Sequence, residues 1–137
     1  MNKPFSAFCP ELPPTTNMAY KVGKGHLYKT ADCKDWQEKA AFIVGAKHGQ
    51  QFQEWKGKFL SCSLYFMDSS VLVSDIDGRV KPVLDCLSQK LGFDDRYILK
   101  MQLFQIKGPF GIFINLREMT ESEIEEIETK WKTLVAE

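Results

Sequence analysis

Val80, Val83, Leu84, Leu87 and Leu91 fall on one stripe at helical spacing, and Gly92 stands where a helix would stop, which predicts a helix over residues 78–91. Pro82 must then occupy the first turn, where its missing N–H costs nothing, so the helix begins close to Asp77 or Gly78. Before it, residues 59–67 alternate, with Leu60, Cys62, Leu64 and Phe66 on one face, as a strand that residues 71–73 could extend. After it, residues 98–106 and 110–116 alternate around Lys107-Gly-Pro-Phe-Gly111, which reads as a β-hairpin. A chain that switches between these two periods within 60 or so residues has little freedom outside a compact α/β domain.

The flanks fit the same class. Residues 5–9 form a short apolar strand that stops at Pro10, and residues 11–25, rich in Pro, Gly and Asn, read as a long irregular connection. Asp32 can cap a helix whose apolar positions Trp36, Ala40 and Ile43 recur at helical spacing and which ends near residues 45–49. Thr120-Glu-Ser-Glu123 is a capping box, followed by Ile124, Ile127, Trp131 and Leu134 as a last helix. The expectation is a single α/β (α+β) domain over residues 1–137, with a small mixed sheet including a β-hairpin and about three helices. Trp36, Trp55 and Trp131 fit core positions.

Lysine plus arginine equal aspartate plus glutamate, so the net charge is zero and no bulk attraction to nucleic acid exists; any DNA contact needs a local patch. No stretch is apolar enough to span a bilayer, and residues 1–10 make a poor signal peptide, so the expected location is the cytoplasm. Cys9, Cys33, Cys62 and Cys86 stand apart, without a C-x-x-C or clustered histidines, and read as buried thiols rather than a zinc site or a disulfide framework.

Asp75 and Asp77 meet at the predicted strand-to-helix junction, Lys81 follows one turn later, and Asp94 and Asp95 close the helix. Two carboxylates at about 5 Å in a partly screened site repel by roughly 3 kcal/mol, so bringing several together requires protons or a cation. Hard acids without a nearby histidine favour Mg²⁺ or Mn²⁺, and such a metal serves phosphoryl chemistry. Lys81 faces Asp77 across a turn and would pair with Asp85 one turn further on. Taken alone, each acid pair is also a common turn or helix cap, and the lysine pairs are ordinary surface ion pairs. Because Asp94 and Asp95 leave the far end of the helix, the fold must bring that loop back to the junction if the acids act together.

Taken together, Leu12-Pro-Pro-Thr-Thr-Asn17 with Tyr20, then Asp75-Ile-Asp77, Lys81, Asp85 and Gly92-Phe-Asp-Asp95, resembles the RusA-like Holliday junction resolvases of bacteria and their phages, from about residue 10 to 119. The resemblance implies a Mg²⁺-dependent homodimer, with Mn²⁺ as a substitute and no organic cofactor, that nicks four-way DNA junctions symmetrically. It carries the catalytic metal-binding role to Asp75, Asp77 and Asp95, a catalytic lysine to Lys81, and auxiliary acids to Asp94 and Asp85. The chain departs from the family pattern at Gly78, where members often carry Asn, and in residues 67–74, which hold no Lys or Arg. The basic candidates left for DNA are Lys21, Lys24, His26 and Lys29 in the early segment, with Asn17 and Tyr20 beside them and Tyr28 interleaved. The hairpin at 107–111 is an expected dimerisation element. The alternatives are a non-catalytic junction-binding protein and a metal-dependent phosphoesterase of small molecules.

Overall fold

The computed structural model describes residues 1–70 and 75–136, apart from the side chains of residues 16 and 17. The chain runs β1 (Phe5–Cys9), α1 (Thr16–Ala19), β2 (Tyr20–Gly23), β3 (His26–Lys29), α2 (Ala31–Gln50), β4 (Leu60–Asp68) and α3 (Val80–Leu91). A 3-10 helix at Asp95–Tyr97 then leads into β5 (Ile98–Lys107), β6 (Gly111–Glu118) and α4 (Glu121–Ala136). This is an α+β domain with one four-stranded mixed sheet and one separate two-stranded hairpin.

The large sheet has the order β1-β6-β4-β5. β6 pairs antiparallel with both β1 and β4, whereas β5 pairs parallel with β4 from Leu60 opposite Ile98 to Asp68 opposite Lys107. The strands expected at 98–106 and 110–116 are therefore present, but they do not form the expected hairpin, because β4 lies between them. The alternation of a strand says which face is buried and is silent about its neighbour. A parallel neighbour needs a crossover, and α3 supplies it between β4 and β5. The two-stranded hairpin is β2–β3, whose first strand and tip fall in residues 11–25, expected to be an irregular connection, and whose second strand follows it.

One face of the sheet carries the core. Leu60, Cys62, Leu64 and Phe66 of β4 meet Ile112, Ile114 and Leu116 of β6, Phe5 and Ala7 of β1, and the buried faces of α2 and α3. Burying each Leu or Phe side chain stabilises the fold by roughly 1.5–3 kcal/mol. α2 buries Cys33, Trp36, Ala40 and Val44, so the expected Trp36 and Ala40 face the core, with Val44 fully buried and the expected Ile43 partly buried beside it. It continues through Gly45 and Gly49 to Gln50, and its cap is Thr30, whose Oγ1 accepts from the Cys33 N–H at 3.3 Å, rather than Asp32, which sits in the first turn. Trp36 and Trp55 are buried as expected; Trp131 is 55 % exposed and lies outside the core.

All four cysteines are free and buried. Burial pushes the thiols of Cys9 and Cys86 up to about 11 and that of Cys62 up to about 12, so they serve as packing groups rather than nucleophiles. Residues 71–73, the expected extension of β4, lie outside the described residues. Among the described residues no helix is long and apolar enough to cross a membrane.

Candidate functional site

Asp75 and Asp77 are both exposed, on either side of Ile76, in the turn that enters α3. Two backbone hydrogen bonds shape that turn: the Gly78 N–H donates to the Asp75 carbonyl at 2.9 Å, and the Val80 N–H donates to the Asp77 carbonyl at 3.2 Å. A side chain at position 78 would put its Cβ 3.1 Å from the Asp75 carbonyl oxygen, so the glycine at this departure from the family pattern suits a tightly closed turn. Pro82 lies in the first turn of α3, as its missing donor requires.

Lys81 and Asp85 do not pair with each other among the described ion pairs. Lys81 instead places its Nζ 4.8 Å from the centroid of the Tyr20 ring, a cation–π contact, and the Tyr20 hydroxyl donates to Asp85 Oδ2. Burial and that hydrogen bond to Asp85 raise the Tyr20 hydroxyl well above the ordinary tyrosine range, so it stays a donor. These contacts fasten the start of the β2–β3 hairpin to the first half of α3. A residue without a marked role in the sequence adds a second tie: Arg79, at the entry to α3, donates from its guanidinium to the carbonyl of Pro13 in the Leu12-Pro-Pro segment. The helix predicted over residues 78–91 includes Arg79, and no local spacing signals a bond to Pro13, 66 residues away.

The hairpin sorts the basic candidates by face. Tyr20 opposes Lys29, and Lys21 opposes Tyr28, with Gly23 opposite His26. Alternation puts Tyr20 and Lys29 on one face, and Lys21, Tyr28 and His26 on the other. The Tyr28 ring lies against Gly23, where a Cβ would meet its Cε1 at 2.9 Å. Lys24 and Gly25 form the tip with φ of 52° and 76°, the sign pattern of the type I′ turn that two-residue hairpins favour. Lys21, Lys24 and His26 are exposed. Asn17 falls in α1, with its side chain outside the described atoms.

Asp94 and Asp95 are elsewhere. Asp94 caps the 3-10 helix: its Oδ1 accepts from the Arg96 N–H at 3.0 Å, and its Oδ2 pairs with the Arg96 guanidinium at 2.8 Å. The hydrogen bond from that guanidinium holds the Asp94 carboxyl below the usual range. Asp95 lines a surface recess of about 700 Å³ with Lys56, Ser88, Arg96 and Tyr97. Because β5 runs parallel to β4, Asp95 sits at the sheet end where β4 begins, while Asp75 and Asp77 follow the end where β4 finishes. The 12 residues of α3 separate the two sets, a span of about 18 Å at 1.5 Å per residue.

Asp75 and Asp77 offer the hard oxygen ligands that Mg²⁺ takes, but the three-acid set does not close within one chain. Among the described residues no group of three acidic, histidine or cysteine side chains is placed to hold a metal ion. The geometry joins Asp75, Asp77, Lys81, Tyr20 and Asp85 with the basic hairpin at one end of α3, and leaves Asp94 and Asp95 at the other. Compared with known proteins, the chain matches no family model and no curated protein.

Proposed function

We propose that this chain is a metal-dependent endodeoxyribonuclease of branched DNA, a Holliday junction resolvase working as a homodimer in the cytoplasm of a bacterium, chromosomally or phage encoded. The observation that carries the reading is the attachment of the basic β2–β3 hairpin to the Asp75/Asp77 end of α3 through Tyr20, Lys81 and Asp85. The hairpin face that carries Tyr20 and Lys29 is thereby tied to the start of α3, with Lys21 and His26 on its other face.

In this reading Lys21, Lys24 and His26 engage backbone phosphates, which fixes orientation without reading sequence. Lys81 is held by the Tyr20 ring and presents its ammonium to the scissile phosphate, where charge develops. Asp85 sets the position of Tyr20 and so acts through it. Mg²⁺, with Mn²⁺ as a substitute, is the cofactor, and its chemistry is activation of water and neutralisation of phosphate charge. Since one chain keeps Asp95 a helix length away from Asp75 and Asp77, a second copy would have to bring its own Asp95 carboxylate to that end, which gives the homodimer a chemical role.

Cleavage of a labelled four-way junction beside a matched linear duplex, with Mg²⁺, tests the reading. Paired nicks confined to the junction, abolished by chelator and reduced by orders of magnitude in Asp75→Asn, are expected. A junction gel shift without cleavage would replace it by a binding module, and cleavage that survives in Asp75→Asn would remove the acids from the mechanism.

A further inference from the structure

α4 has no buried residue along its 16 positions. Among the described residues its side-chain hydrogen bonds and ion pairs to the body are near its start, where the Arg117 guanidinium pairs with Glu123 at 2.7 Å and Glu123 closes the capping box with Thr120, and Ile127 edges a recess against Leu99 and Met101 of β5. Beyond that anchor, Ile127, Trp131 and Leu134 are 42 %, 55 % and 61 % exposed. With Ile124 they recur at intervals of three, four and three residues, the a/d spacing that seats one helix against another. A stripe of this kind left in water is unusual for a surface helix, which turns its apolar side to the core.

The charges on α4 choose the occupant. Glu121, Glu123, Glu125, Glu126 and Glu128 fill the first half, and Lys130 and Lys132 lie in the second. That excess of acid opposes a nucleic-acid backbone. A parallel pair of α4 helices would stack acid on acid, whereas an antiparallel pair sets the acidic half of each beside the two lysines of the other. Antiparallel packing about a two-fold axis is also the closed arrangement in which one patch serves both copies.

We infer that α4 is an interface for a second copy of this chain, formed by antiparallel packing of the Ile124, Ile127, Trp131 and Leu134 stripes of two α4 helices. The inference rests on the homodimer of the nuclease reading and says where it forms; a dimer that persists in Trp131→Glu rejects this interface and leaves that reading standing. The seam offers two a/d pairs per helix, so the dimer should appear as concentration rises.

Sedimentation velocity of the full chain across the micromolar range tests it. The wild type should move from the chain mass to twice that mass as concentration rises, and Trp131→Glu should stay at the chain mass with unchanged circular dichroism. A wild type that remains monomeric throughout, or a dimer that Trp131→Glu leaves intact, overturns the inference. Should Trp131→Glu disturb the fold, the surface pair Lys130→Glu and Lys132→Glu decides by the same readout. It should be monomeric alone and dimerise again when mixed with a copy carrying Glu125→Lys and Glu126→Lys; failure to recover on mixing overturns the inference.

Discussion

Tyr20 joins two parts of the chain with a single side chain. Its ring takes the Lys81 ammonium and its hydroxyl serves Asp85, so removing the hydroxyl alone separates the two jobs. Tyr20→Phe keeps the ring under Lys81 and leaves the half-buried Asp85 carboxylate without its donor, at an expected cost of about 1–3 kcal/mol in urea unfolding. Asp85→Asn, whose amide oxygen still accepts from Tyr20, should lose less; an unchanged stability in Tyr20→Phe would mean that the bond contributes nothing. The sequence identified Tyr20, Lys81 and Asp85 individually and paired them wrongly. An i,i+4 ion pair can be read from spacing, whereas a tyrosine 65 residues away that takes the carboxylate first cannot.

Among the elements, α3 and α4 were the most legible, since their ends are set by local chemistry. Gly92 adopts a φ of 75° and its N–H donates to the Ser88 carbonyl at 2.9 Å, closing α3. Gly92→Ala forces a side chain into the left-handed region and should cost about 1–2 kcal/mol, measured by chemical denaturation. At the start of α4, the hydrogen bond from Arg117 draws the Glu123 carboxyl down from 4.5 to about 2. A depressed carboxyl adds stability above its unfolded value and loses it as pH falls through the folded one. The anchoring of α4 should therefore be complete above about pH 4.5 and vanish towards pH 2, followed by amide exchange along α4, with Glu123→Gln removing this dependence. α2 was less legible: Gly45 and Gly49 read as a stop, yet the helix passes through both because Trp36, Ala40 and Val44 hold its inner face against β1 and α3.

At the scale of the molecule, the parallel pairing of β4 and β5 decides where the acids stand. Asp75 and Asp77 lie at one end of α3 and Asp95 at the other, so a homodimeric nuclease that needs all three must combine two chains. Asp75→Asn and Asp95→Asn should each be inactive alone. Mixed under conditions of subunit exchange, they should regain nicking of one junction strand, because only one of the two composite sites keeps its full set of acids. No recovery on mixing, with both variants folded, would show that the acids do not act across two copies.

Legible in the sequence alone were the strands β1, β4, β5 and β6, the Gly92 stop of α3, the capping box of α4, the buried thiols, and the α+β class. Periodicity, capping and glycine stops act within a few residues and need no partner. The packing of elements settled that β4 separates β5 from β6, that the early basic segment is a hairpin tied to α3, that a helix length parts Asp77 from Asp95, and that Ile127, Trp131 and Leu134 of α4 are left exposed. Each of these depends on which element comes to lie beside which, and that choice is made by burial of the whole core, to which no single segment holds the key.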